Sequence, residues 1–101
     1  MFSGGSYDDV SRWLRNFLTA HAKREDPRLE IVLETGGDLE GQGYRARVRS
    51  GDRLGEPLML DYREVADNRG TLAWCTALAA RIRGLARPLL AAGSARDARA
   101  R

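Results

Sequence analysis

Apolar residues recur at intervals of three and four through the first quarter of the chain. Tyr7, Val10, Trp13, Leu14, Phe17, Leu18 and His21 fall on one broad helical face, with Arg12, Arg15 and Thr19 outside it or at its margin. Ser6 stands where an N-cap is needed, and Asp8 and Asp9 suit the positive end of a helix dipole. The pattern predicts a helix from Ser6 to about Ala22 or Lys23. Pro27 then blocks continuation and biases Asp26 toward extended backbone.

The period next changes to two. Leu29, Ile31 and Leu33 alternate with Glu30, Val32 and Glu34, as in a strand with one buried face. A glycine-rich loop from Thr35 to Gly43 leads to a second strand, Tyr44 to Arg49. There Arg45, Arg47 and Arg49 form one row, while Tyr44, Ala46 and Val48 face the core. Gly51 to Glu56 reads as a turn, and Pro57 to Tyr62 as a third strand, with proline at its tolerated first position. Leu58, Leu60 and Tyr62 share one face of that strand. Arg63 to Gly70 reads as a polar connector, with Asp67, Asn68 or Thr71 available to cap a last helix. In that helix Trp74, Cys75, Leu78, Ile82, Leu85, Ala86 and Leu89 make a wide apolar face. Pro88 is expected to end or kink it near Arg87, unless Leu89 and Leu90 continue it after a distortion.

The fold expected is α+β in the order α-β-β-β-α: a three-stranded antiparallel sheet, the arginine strand central, two helices on one face and the other face open. The core is expected from Leu14, Phe17, Leu18, Leu29, Ile31, Leu33, Val48, Leu60, Leu78, Ile82 and Leu85. Residues 6–91 form a single domain in this reading, with residues 1–5 and 92–101 as flexible termini. Length supports one domain: 101 residues suffice for a modest core.

Composition narrows the function classes. With 43% apolar and 31% charged residues the chain is of globular type. No apolar run approaches the ~18–20 residues that span a bilayer, and no secretory signal opens the sequence, so no membrane role is expected. A single cysteine, Cys75, excludes an internal disulfide framework and makes a reducing cytoplasm the default compartment. The formal charge is +3, yet the tail from Arg96 to Arg101, with three arginines and one aspartate, accounts for +2 of it. A nucleic-acid binder usually concentrates its excess charge on the folded surface. Sixteen arginines against one lysine, with abundant alanine and glycine, read as coding composition of a GC-rich, bacterial type before they read as chemistry.

The arginine row is the main functional signal. Hairpin pairing would place Glu30 and Glu34 on one side of Arg45, Arg47 and Arg49, and Asp61 on the other. Such a face is held by cross-strand charge pairs and does not present a bare phosphate groove. Val32 and Met59 interrupt it, and methionine and arginine are enriched at interfaces. Val32, Arg45, Arg47, Arg49 and Met59 are therefore the partner-binding residues expected of a non-enzymatic interaction domain, docking a protein or a second copy of itself. The alternative is RNA or DNA binding through the Arg45, Arg47 and Arg49 row. Other chemistry is weakly represented. The glycine loop joins strand to strand and lacks Gly-Lys-Ser or Gly-Lys-Thr, so it is no phosphate loop. His21 and Cys75 are the only residues of their kinds, and a nucleophile pair would need them to meet in a cleft with an orienting third group. No catalytic residue, metal ligand set or cofactor is expected.

The element order is similar to that of the double-stranded-RNA-binding domain, from about Ser6 to Ala91. That family grips RNA with Lys-Lys-x-Ala-Lys at the start of its last helix. The corresponding residues here, Asn68 to Trp74, hold one basic side chain. The family's first hairpin loop often carries proline and histidine, and Gly36 to Gly43 holds neither. The likeness is one of topology, and no functional residue is carried over.

Overall fold

Ser6 opens the first helix as its sequence position suggests: its hydroxyl accepts from Asp9 N at 3.1 Å. The helix, α1, runs Tyr7–Glu25 and stops at Asp26, whose backbone is extended ahead of Pro27. Asp26 then clamps Arg28, accepting from its backbone N at 2.8 Å and from its guanidinium at 2.9 Å. Those hydrogen bonds pull its carboxyl down to about 2. The computed structural model describes the backbone of residues 6–100 and the side chains of residues 6–91. Residues 1–5, expected as a flexible terminus, lie outside the described residues.

Four antiparallel strands follow: β1 Glu30–Glu34, β2 Gly43–Ser50, β3 Arg53–Leu54 and β4 Leu58–Asp61. The β1–β2 connection carries a 3-10 turn at Gly37–Leu39. Gly51, at φ 64°, makes the tight turn into β3, a backbone conformation that suits glycine. β2 is central. β1 pairs along one side of it, while β3 and β4 share the other.

The third strand of the sequence reading is thus present but broken. Between the pairs Arg49↔Leu54 and Ala46↔Leu58, β2 contributes two residues, and the opposite strand contributes Gly55, Glu56 and Pro57. One extra residue is a β-bulge. Gly55 N still donates to Val48 O at 2.8 Å, and Pro57 lacks an N–H to continue the ladder. The extra residue shifts the alternation, so Leu54 before the bulge and Met59 after it point to the same face.

Tyr62 leaves the sheet and begins α2, Tyr62–Asn68, where a polar connector was expected. Asp61 caps it, accepting from Glu64 N at 3.1 Å, and Val65 and Ala66 are buried beneath it. The last helix, α3, runs Leu72–Ala100 through Pro88. Of the outcomes foreseen at Pro88, continuation is the one found: Leu89 and Leu90 pack against the core, and the helix runs past the proline. Residue 84, whose carbonyl the proline ring would crowd, is a glycine.

Helices α1 and α3 cover the sheet face that carries Tyr44, Ala46 and Val48, all buried. Val10, Leu14, Leu18 and Ala22 of α1 meet them from above, with Leu29, Leu58, Leu60, Val65, Leu78, Ile82 and Ala86. Phe17, Ile31, Leu33 and Leu85, expected inside, are half-buried and pack against this cluster. Tyr44 ties the layers together. Its hydroxyl donates to Tyr7 O at 2.9 Å, Tyr7 donates to Gly43 O at 2.7 Å, and the two rings stack at 4.8 Å. Among the described residues no helix lies across the face with the arginine row, although α3 reaches its edge, where Leu85, Pro88 and Leu89 line a cavity with Arg47 and Leu54.

Candidate functional site

Register fixes this open face. Directly opposed residues in antiparallel strands share a face, so the four strands form transverse rows. One row is Glu34, Arg45 and Met59; another is Glu30, Arg49 and Leu54; Val32 and Arg47 lie between them. The two outer rows repeat the same order: carboxylate, guanidinium, apolar side chain. The face therefore has an acidic margin on β1, a basic centre on β2 and an apolar margin on β3 and β4.

The charges are paired. Arg45 donates to Glu34 Oε1 at 3.0 Å, and Arg49 Nε donates to Glu30 Oε1 at 3.0 Å. Arg49 holds the Glu30 carboxyl below the usual range, first through the hydrogen bond and then through its charge. Arg47 is held less closely, with Nε 3.7 Å from Glu34 Oε2 and no hydrogen bond to it. Pairs this exposed contribute about 0.2–1 kcal/mol each. Their larger effect is on the field of the face, where two carboxylates offset three guanidiniums.

Asp61 lies on this face, one row beyond Arg45, but makes no ion pair with the arginines among the described residues. It stands opposite Gly43, and its carboxylate caps α2. The expectation of a third flanking acid is therefore corrected: a residue at a strand end is recruited by the unsatisfied N–H groups of the helix that follows. The apolar margin is larger than the sequence indicated. Met59 is 53% exposed, and Leu54, which sequence reasoning placed in a turn, is 52% exposed two rows further along the same margin. All five expected contact residues, Val32, Arg45, Arg47, Arg49 and Met59, share the face. Only the bulge, a property of the pairing, brings Leu54 to them.

His21 and Cys75 do come together, lining one shallow pocket between α1 and α3. Their electrostatics oppose nucleophilic chemistry. Burial pushes the Cys75 thiol up, and its Sγ is turned toward Arg69 O at 3.5 Å. Burial, Arg24 and Arg83 hold His21 below its ordinary value, so it resists the charged state that would stabilise a thiolate. His21 Nδ1 has no hydrogen-bond partner, hence no orienting third group on that atom. Among the described residues no group of His, Cys, Asp and Glu is arranged to hold a metal ion, and no helix is long and apolar enough to cross a membrane.

Compared with protein-family models, with curated proteins and with solved structures, the chain finds no match.

Proposed function

We propose that this chain is a non-enzymatic interaction domain whose open sheet face docks a second copy of itself. The observation that carries the reading is the pairing of Arg45 with Glu34 and of Arg49 with Glu30, beside exposed Leu54 and Met59. A surface built for phosphate leaves its guanidiniums available, whereas this one spends two of three on its own carboxylates. The remaining stripe, apolar side chains flanked by arginine stems, has the composition of an interface centre.

A second copy fits such a face because it is self-complementary. A two-fold axis along the apolar margin sets Leu54 and Met59 of one copy against those of the other. The arginine rows then lie on either side of this seam, each already neutralised in part by its own glutamates. Arg47, the least closely paired of the three, stands at the centre of the row.

Size-exclusion chromatography with light scattering tests the reading over a concentration series. The expected mass is twice 11.2 kDa. Met59→Asp is expected to return the protein to monomer with its circular dichroism melt preserved. Titration with duplex RNA, duplex DNA and single strands at two salt concentrations separates the nucleic-acid alternative. Binding that weakens steeply with salt and is lost on Arg47→Glu would displace the docking reading in favour of that one.

A further inference from the structure

The pocket between α1 and α3 belongs to the helices and not to the open sheet face. It is an open groove of about 310 Å³, with Phe17 and His21 on one wall and Leu72, Cys75, Ala79 and Arg83 on the other. Its surface is mostly apolar, and Leu72 at its mouth is 81% exposed. Two polar atoms on opposite walls are withdrawn from solvent without a hydrogen-bond partner: His21 Nδ1 and Arg83 Nε. Buried polar atoms are ordinarily satisfied, and these two belong to residues that line one cavity, one from each helix.

The local charge says what kind. Arg83, and Arg24 one turn beyond His21, have no ion pair among the described residues. Glu25, the acid beside Arg24, is engaged by Arg87 at 3.6 Å. Both guanidiniums act on His21 and, with burial, suppress its protonation. Burial is the largest of these effects, and an anion seated there would offset the two guanidinium charges. A carboxylate suits the guanidinium fork, and its second oxygen can accept from the imidazole. The rest of the lining cannot replace the hydration shell of a dianion such as phosphate, but it can cover an apolar body. The volume lies at the small end of ligand pockets, which limits that body to about one ring or a short branched chain.

We propose that this pocket binds a small organic carboxylate, its carboxyl group between His21 and Arg83 and its apolar body against Phe17 and Leu72. The site is independent of the sheet-face docking. Binding draws a proton onto His21 from solvent, and the charged groups acting on it are Arg24 on its own helix and Arg83 on α3, with Cys75 a neutral thiol beside them.

Benzoate is the probe, titrated into the full chain and followed by NMR and calorimetry. Saturable binding is expected, with shifts at the Arg83 guanidinium and the His21 ring. His21 should titrate at higher pH in the complex, and affinity should rise as pH is lowered from about 8 to about 6. Arg83→Gln, at a half-buried position, and Leu72→Ser, at an exposed one, should each weaken binding by about tenfold or more while the melt is unchanged. Benzamide, the neutral isostere, should not compete. Equal binding of benzamide and benzoate would overturn the anion assignment. Inorganic phosphate displacing benzoate at equal affinity would overturn the carboxylate assignment. Benzoate that leaves Arg83 and His21 unshifted would overturn the site.

Discussion

His21 and Cys75 show how one environment sets two side chains. Each is partly buried between the long helices, and burial disfavours the charged form of both. For His21 the consequence is a stability that depends on pH. The unfolded chain takes its proton near 6.5, and the folded chain only at lower pH. Between those values the unfolded state binds more protons, so stability falls as pH drops below about 6.5, and the loss levels off once the folded imidazole is protonated too. Denaturant melts at stepped pH should show this slope, and His21→Gln should flatten it; an equal slope in the variant would place the effect elsewhere. For Cys75 the consequence is kinetic. A thiol held protonated alkylates slowly, so iodoacetamide should modify Cys75 more slowly than free cysteine at neutral pH. Faster modification would mean that an electropositive neighbour, and not burial, governs the thiol. The sequence marked both residues as singular but could not bring them together, since they lie on different helices whose mutual rotation is set by packing.

At the scale of elements, patterning told most about α1, β1 and β2. In α1 the cap, the first-turn aspartates and the apolar spacing all point the same way. Strand alternation in β1 and β2 assigned both faces correctly, and with them Glu30 and Glu34 to the arginine row. The third strand was less legible. Its bulge depends on how Gly55, Glu56 and Pro57 sit against Arg47 and Val48, a relation between strands that no single strand records. Helix α2 was hidden for a different reason: it is short and mostly polar, and its cap, Asp61, also reads as the last strand residue. Two substitutions probe these junctions. Asp61→Ala removes the α2 cap and should cost about 0.5–2 kcal/mol in chemical denaturation, while leaving the Arg45–Glu34 pair intact. No loss would show that the cap is dispensable and would free Asp61 for another role. Gly43→Ala would set a Cβ 2.5 Å from Leu60 O, where β2 and β4 approach closest to the helix junction. Something must shift there, and a destabilisation of about 1–3 kcal/mol is expected, read from the same denaturation curves. A neutral result would mean that the β2–β4 spacing is wider than described.

For the whole molecule, the two sides of the sheet have opposite characters. Both long helices lie on one side and bury the core. The other side holds paired charges bordered by Leu54 and Met59. The α+β layout with one covered face followed from alternation, because β1, β2 and β4 each turn most of their apolar residues to the helices. What the open face is for did not follow, since paired and unpaired arginines look alike in a sequence and only register separates them. Arg47→Glu belongs to this scale. It faces Val32 on a strand that can stay paired, so it should weaken self-association more than it weakens folding. The most direct measurement is the mass of the protein in solution across a concentration series, for the native chain and for Met59→Asp. The account predicts a native species of twice 11.2 kDa and a folded Met59→Asp monomer. A native chain that is monomeric at every concentration, or a Met59→Asp dimer as tight as the native one, would contradict it.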